Sequence, residues 1–186
     1  LLNFLVGEKV SIVSRKAQTT QKNTTGVITK DESQLIFFDT PGLNKIKKNI
    51  RISETFKAVA ENVDVLLYMV DNTKKSQSID DEFINWLGKN ESTFRKKVLI
   101  VNKIDCIEKV KLFGITKTIN SVISFDETFF ISLSKKSGTV SFTKWIEKQA
   151  YSNDWVFQEN FKSNIGKKNF LSELTREKIF DYIHEE

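Results

Sequence analysis

The feature that most constrains the fold is a series of short, nearly continuous apolar runs separated by longer polar segments. Runs of this length are typical of strands in a sheet that is covered on both faces, because neither side of such a strand meets water. Strands that alternate with helices favour crossover connections and a mostly parallel sheet. The four runs are Ser33–Asp39, Val63–Asp71, Lys97–Asn102 and Glu127–Ser132.

The segments between and after these runs carry apolar residues three or four positions apart, which predicts helices. Thr25–Thr29 instead predicts a hairpin with Ser33–Phe38 around residues 30–32, and hence one antiparallel edge strand. The fold class is therefore α/β, with a mostly parallel sheet. The residues predicted to line the buried helix faces are Ile52, Phe56, Val59 and Ala60; Phe83, Ile84 and Leu87; Val110, Phe113, Ile119, Val122 and Ile123; and Val140, Phe142, Trp145 and Ile146, with Gln149.

The pattern changes near residue 151, which suggests a boundary. Residues 1–150 are predicted to form one domain. Residues 151–168 are predicted to form a polar and aromatic linker, because their apolar residues show no clear periodicity. Residues 169–186 resume a helical pattern, with Phe170, Leu171, Leu174 and Ile179 apolar and charged residues such as Glu177 on an expected exposed face. We expect this last helix to have little to pack on.

Composition narrows the class of protein only slightly. The net charge of +5 suits RNA or an anionic membrane surface, but equally a lysine-rich surface without such a partner. Cys106 is the only cysteine and His184 the only histidine, which excludes an internal disulfide and makes a zinc site implausible. We expect a reducing cytosol, and a buried or half-buried structural role for Cys106. No apolar run approaches the roughly eighteen residues of a membrane-spanning helix.

Two short motifs follow predicted strands and point to a nucleotide. Asp39-Thr40-Pro41-Gly42 places a carboxylate that can hold Mg²⁺ through water and a glycine whose amide can approach a γ-phosphate. An ordinary strand-end turn is the alternative for this motif alone, because Pro-Gly is common in turns.

Asn102-Lys103-Ile104-Asp105 is the second motif. The Asp105 carboxylate can accept both donors on the Watson–Crick edge of guanine, which adenine does not offer. The stem of Lys103 can lie over the purine face, and Asn102 can tie the loop to its neighbours. A solvated polar loop is the alternative. Together the two motifs predict one guanine-nucleotide site to which both loops converge.

Two further loops gain support from their position. Residues 131–138 leave the last predicted strand, where open α/β sheets bind ligands, and the Leu133 N–H can donate to guanine O6. Residues 14–20 contain Thr19 and Thr20, whose hydroxyls can ligate Mg²⁺. A basic solvated loop is the alternative for this segment, and the other motifs are what favour the Mg²⁺ role. Leu43, directly after the first motif, cannot orient an attacking water.

These residues resemble a known family, the bacterial Era GTPases. The resemblance rests on Ser14–Thr20, Asp39–Leu43, Asn102–Asp105, the serine loop at 131–138 and the segment Glu173–Phe180. It implies a three-layer P-loop-NTPase-like GTPase domain, followed by a linker and the first helix of an RNA-binding KH domain. The family also lacks the water-orienting glutamine, so Leu43 fits it.

By this resemblance Thr20 and Asp39 serve Mg²⁺, Gly42 lies near the γ-phosphate, and Asn102, Lys103, Asp105, Ser132 and Leu133 bind guanine. The family binds GTP and GDP, hydrolyses GTP, binds the 3′ end of 16S rRNA, aids assembly of the small ribosomal subunit, and associates peripherally with the inner membrane face. We expect a cytoplasmic monomer on the same ground.

The sequence departs from the family pattern in three respects. It contains no G-x-x-x-x-G-K-[ST] phosphate loop and no G-x-x-G loop after its last helix, and Leu133 stands where the family usually has alanine. The base-facing residue of that loop could instead be Ser134. We therefore expect little nucleotide or RNA binding from the 186 residues alone.

Two other interpretations are compatible with the sequence. One is a non-catalytic interaction module that keeps the GTPase fold. The other is a GTPase of a different branch that shares both motifs, although the helix at 169–186 argues against it.

Overall fold

The computed structural model describes residues 1–12, 24–40, 44–46, 49–51, 54–71 and 81–182. The chain divides into two compact units: Leu1–Lys47 with Ile146–Glu186, and Lys48–Trp145. The elements are α1 Leu2–Val6, β1 Thr24–Lys30, β2 Ser33–Asp39, β3 Asn44–Ile46, β4 Asn49–Arg51, α2 Glu54–Ala60, β5 Val65–Asp71, α3 Asp81–Lys89, β6 Lys96–Asn102, α4 Lys109–Asn120, β7 Glu127–Phe130, α5 Thr139–Glu147 and α6 Lys167–Tyr182, with short 3₁₀ turns at Glu91–Thr93 and Ile104–Cys106.

The unit Lys48–Trp145 is built on a parallel sheet in which β6 lies between β5 and β7. The four residues 98–101 in the middle of β6 are fully buried, which explains why this stretch is apolar at every position. The predicted parallel sheet is therefore confirmed. In its register Asp71 of β5 lies opposite Asn102 of β6, so these two strands end side by side.

Two helix faces in this unit differ from the prediction. In α4 the buried positions include Leu112, Thr116 and Ile119, which are spaced four and three residues apart. Phe113 lies about 100° away around the same helix and is 71% exposed, so its predicted place in the core is wrong. Val122, after the helix, is also exposed.

Thr116 is the polar residue on the buried face of α4, and the apolar pattern did not predict its burial. Thr116 satisfies its side chain within the helix by donating to the Leu112 carbonyl at 3.0 Å. In α5 the same kind of error affects Val140, which is 65% exposed, whereas the predicted core residue Phe142 is fully buried against Phe129.

The unit that contains both chain ends is built on the antiparallel hairpin β1–β2. Its register runs from Thr24 opposite Asp39 to Lys30 opposite Ser33, around a two-residue turn, and it confirms the predicted hairpin. Among the described residues the hairpin forms a two-stranded sheet of its own. Helix α1 lies on it, and Gly26 permits this, since a Cβ there would come 2.5 Å from Leu2 Cδ1.

Residues 151–168 were predicted as a linker, and in the structure part of this segment is hydrogen bonded to the hairpin. The Lys162 carbonyl accepts the Val27 N–H at 2.8 Å, and the Asn164 side chain accepts the Thr25 N–H at 2.9 Å. Residues 162–164 therefore run along β1.

Helix α6 follows this segment and begins at Lys167, two residues earlier than predicted. Glu177 was expected on its exposed face, but it is buried and forms an ion pair with Lys9 at 2.7 Å. Its apolar residues Leu171 and Ile179 are exposed instead. None of the described helices combines the length and the apolar content that crossing a membrane requires.

Candidate functional site

The predicted base-reading motif begins where β6 ends, at the carboxyl edge of the parallel sheet. Asn102 is the last residue of the strand, and Ile104–Cys106 form a 3₁₀ turn directly after it. Lys103 between them has a left-handed backbone, with φ 61° and ψ 38°. A left-handed lysine is unfavourable by roughly 1–2 kcal/mol, so the surrounding contacts must impose this conformation.

The serine loop lies at the end of the neighbouring strand β7. Ser132 is fully buried, and its backbone exchanges two hydrogen bonds with Ser137, of 2.9 and 3.1 Å, which close the loop 133–136. Gly138 completes the turn with φ 69°, and a Cβ there would lie 2.1 Å from the Phe130 carbonyl oxygen. Only glycine fits this position.

Two hydrogen bonds join these loops. The Leu133 N–H donates to Asn102 Oδ1 at 3.3 Å, and the Ile104 N–H donates to the Ile131 carbonyl at 3.3 Å. The structure thus brings together the predicted residues Asn102, Lys103, Asp105, Ser132 and Leu133 at adjacent strand ends. The Asn102 side chain thus joins its own loop to the serine loop.

Asp105 is an exposed carboxylate whose charge is stabilised from one side. The Ser132 hydroxyl donates to it, and this is the main reason that the pKa of Asp105 lies below its ordinary value. Ser132 Oγ also accepts from the Lys135 N–H and lies at the same distance, 3.1 Å, from the Ser134 hydroxyl. At neutral pH Asp105 is therefore ionised and accepts hydrogen bonds only.

Asp71 belongs to the same cluster and was missed by sequence reasoning. Its Oδ2 lies 2.8 Å from Lys103 Nζ. The signal that would have identified it is its position as the last residue of a predicted strand, which places it beside Asn102 in a parallel register.

The expected structural role of Cys106 is wrong, because the side chain is exposed. Its Sγ lies 3.6 Å from Asp105 Oδ2. Partial shielding from water, followed by the negative charge of Asp105, raises the pKa of the Cys106 thiol. The thiol therefore stays protonated at neutral pH, which opposes a nucleophilic role.

Of the predicted phosphate and magnesium residues only Asp39 is described, and it belongs to the other unit. Asp39 ends β2, and its charge acts on the Leu1 amino group, so the start of α1 lies near the end of β2. Thr20, its alternative Thr19, Gly42 and Leu43 lie outside the described residues.

A carboxylate at a strand end suits Mg²⁺, which takes one or two protein carboxylates and keeps several waters. The described residues contain no group of three or more histidine, cysteine or acidic side chains that could hold a metal by themselves. The convergence of the two motifs on one nucleotide stays a prediction.

Comparison with known proteins identifies relatives along the whole sequence. GTPase Era from Sinorhizobium medicae is 30% identical over an alignment of 188 residues that includes all of this chain and 60% of that protein. GTP-binding protein ERG from Arabidopsis thaliana is 34% identical over 197 residues, including all of this chain and 45% of that protein. The chain thus spans about 60% or less of the length of these relatives.

Solved structures agree with this result. Era in complex with MgGDPNP and nucleotides 1506–1542 of 16S ribosomal RNA superposes with a TM-score of 0.80 at 30% identity, over 95% of this chain and 60% of that one. A substituted Aquifex aeolicus Era bound to GDP.AlF4- gives a TM-score of 0.78 at 28% identity over the same shares. The α/β architecture described above is therefore the Era-like P-loop GTPase fold.

A family-level match supplies the remaining evidence. The profile of the 50S ribosome-binding GTPases matches residues 1–103, which is more than half of the chain and includes both D-T-P-G and the start of N-K-I-D. The chain therefore belongs to the family of 50S ribosome-binding GTPases, and it resembles Era-type GTPases along its whole length.

Proposed function

We propose that the loops at 102–105 and 132–133 form the guanine-binding half of a GTPase nucleotide site. The observation that carries this proposal is the exposed Asp105 carboxylate shortly after β6, in the loop that Asn102 and Ile104 bond to the serine loop. The pKa of Asp105 lies below its ordinary value, so the carboxylate is ionised at neutral pH. A carboxylate in this state accepts from guanine N1–H and from the exocyclic amine. Adenine presents an acceptor and a donor at the same edge, and so is rejected.

The neighbouring groups complete recognition of the base. Leu133 N–H bonds Asn102 Oδ1 at 3.3 Å, a long distance for such a bond, and we propose that guanine O6 takes this donor when the base binds. Lys103 supplies its apolar stem to the purine face, while its ammonium group stays at Asp71. Ser134 contacts Ser132 rather than Asp105, so we assign Ser132 and Leu133 to the base instead of Ser134.

We further propose that Asp39 and Thr20 serve Mg²⁺ and that Gly42 lies at the γ-phosphate, as the family resemblance implies. Mg²⁺ would neutralise charge that develops on the phosphates as water attacks to give GDP and inorganic phosphate. Asp39 would orient the waters around the metal. Leu43 offers no hydrogen bond to the attacking water, so we expect slow hydrolysis unless polar groups from elsewhere assist it.

For the whole protein we propose the Era-type role. The solved Era complex contains a 16S ribosomal RNA segment, which supports binding of 16S rRNA and a part in small-subunit assembly. We assign α6 to the start of a KH domain after a linker, and we expect a cytoplasmic monomer with peripheral membrane association. The 186 residues include no phosphate loop, and phosphate contacts supply much of the affinity in such sites.

The test is titration of the 186-residue chain and its Asp105→Asn variant with GTP, XTP and ATP, followed by NMR. We expect dissociation constants weaker than micromolar for GTP, with shifts at Leu133 and Ile104. An amide at 105 can donate to the second carbonyl of xanthine, so the variant should favour XTP. Loss of charged hydrogen bonds of about 1.5–3 kcal/mol weakens GTP binding by roughly ten- to 150-fold.

Asp64→Asn is the matched control, because Asp64 has an exposed side chain in the same unit. It should leave the base preference unchanged. Submicromolar binding of GTP by the wild-type chain would refute the expectation of weak nucleotide binding. An unchanged preference for GTP over XTP in Asp105→Asn would show that Asp105 does not recognise the base.

A further inference from the structure

Asp71 is a carboxylate to which neither motif nor family resemblance gave a role. It is the last residue of β5 and lies opposite Asn102 in the parallel register. Its Oδ2 accepts from Lys103 Nζ at 2.8 Å across 32 residues of sequence. The side chains of Lys103 and Asp71 are 48% and 28% exposed, so the pair lies at the rim of the sheet edge.

The Lys103 side chain is constrained at both ends. At one end the backbone has a left-handed conformation, and at the other Nζ is paired with Asp71. A free lysine has four flexible side-chain torsions and loses conformational entropy when a ligand orders it. A lysine already ordered before the ligand arrives incurs less of this loss.

We propose that Asp71 is a positioning residue for guanine recognition: it holds Lys103 so that the aliphatic stem lies ready along the purine face. This inference rests on the proposed function, because it assumes that the 102–105 loop binds guanine. In this proposal Asp71 acts on base recognition through Lys103, so its effect on guanine binding must disappear when Lys103 is absent.

The charges of the pair give a second consequence. A partly exposed ion pair is weakened by salt, since the Debye length falls from about 10 Å at 0.1 M to 3 Å at 1 M. The contribution of Asp71 to guanine binding should therefore shrink at high ionic strength. A purely apolar packing role would not depend on salt in this way.

The experiment is a double-mutant cycle with GMP as the ligand, using the chain as it stands and NMR titration. The variants are Asp71→Ala, Lys103→Ala and the double variant. Ordering one long side chain corresponds to about two- to tenfold in affinity, so Asp71→Ala should weaken GMP binding by that factor. In the Lys103→Ala background the same change should have no effect.

A spectroscopic signature separates positioning from a general structural effect. Guanine stacked on the stem should shift the side-chain methylene protons of Lys103 upfield, and Asp71→Ala should reduce this shift. Asp71→Asn keeps the shape of the side chain and removes its charge, so it tests the same point if the alanine variant folds poorly. Glu108→Gln, which removes the exposed pair with Lys111 in the same unit, is the matched control and should bind GMP as the wild type does.

The outcomes separate this inference from the proposed function. If wild type binds GMP, Asp105→Asn alters base preference, and both Asp71 variants bind as wild type, then Asp71 has no positioning role. An Asp71→Ala effect that persists undiminished in the Lys103→Ala background overturns the inference as well. If neither wild type nor Asp105→Asn distinguishes guanine from other bases, the proposed function fails, and the role of Asp71 fails with it.

Discussion

Replacing Gln34 by alanine should release part of segment 151–166 from the hairpin. The Gln34 side chain uses all of its hydrogen-bonding capacity here. Its Oε1 accepts from the backbone N–H groups of Val156 at 3.0 Å and Phe157 at 2.9 Å. Its Nε2 donates to the Phe157 carbonyl and to Thr29 Oγ1, both at 3.0 Å. The Gln34 amide on β2 is therefore the hydrogen-bonding partner of the backbone at Val156 and Phe157.

The magnitude follows from these four bonds. Each contributes about 0.5–1.5 kcal/mol net, and water can reach the exposed Val156 after the substitution, so part of the loss is recovered. We expect the free energy of local opening to fall by about 2–3 kcal/mol. This corresponds to a loss of roughly 30- to 150-fold in protection from hydrogen exchange.

Hydrogen exchange followed by NMR at Val156 and Phe157 measures this opening directly. Gln34→Glu keeps both acceptor bonds, loses both donors and places a negative charge near the Phe157 carbonyl, so its protection should fall between those of wild type and alanine. Gln158→Ala, on an exposed residue of the same segment, is the control and should change little. Protection in Gln34→Ala within about twofold of wild type would refute the reasoning.

Three further predictions concern the unit that carries the base loops. Gly138→Ala should disrupt the serine loop and weaken guanine binding, whereas Gly114→Ala, at an open site within α4, should raise stability by about 0.5–1 kcal/mol in urea unfolding. Phe142→Ala should lower the unfolding free energy by about 3–5 kcal/mol, and Val140→Ala by less than about 0.5 kcal/mol; similar effects would contradict the burial difference. The hydrogen bond from the Lys97 N–H lowers the pKa of Asp126 in the folded protein. The ionised Asp126 therefore stabilises the fold above the ordinary pKa of aspartate, and this contribution is lost as the pH falls through the folded-state pKa. When the free energy of unfolding is measured from pH 6 to 2, Asp126→Asn should lose less stability in acid than the wild type.

The central strand of the parallel sheet, β6, was predictable because its burial is continuous, whereas β5 and β7 are mostly half-buried. A strand such as β6, with residues 98–101 inaccessible to water, tolerates only apolar side chains there, and the sequence records this directly. The ends of such strands are also visible, since Asn102 and Asp71 mark the first polar positions. The candidate base loop could therefore be located from sequence, although its role remains a proposal.

The buried faces of the helices were harder to predict. Phe113 and Val140 have helical spacing relative to other apolar residues, yet both are exposed. Adjacent helix positions differ by only about 100°, so a small rotation of the helix exchanges a core residue for a surface one. Packing against the sheet decides that rotation, and the local sequence pattern does not specify it.

What the sequence determined by itself is the alternation of strands and helices, the antiparallel hairpin and the two motifs, because each depends on residues close together in the chain. What only the tertiary structure decided are contacts between distant residues: Gln34 with residues 156–157, Lys9 with Glu177, and Asp71 with Lys103. Polar side chains find such partners only after the chain has folded, since their hydrogen-bonding capacity does not specify which distant group will satisfy it.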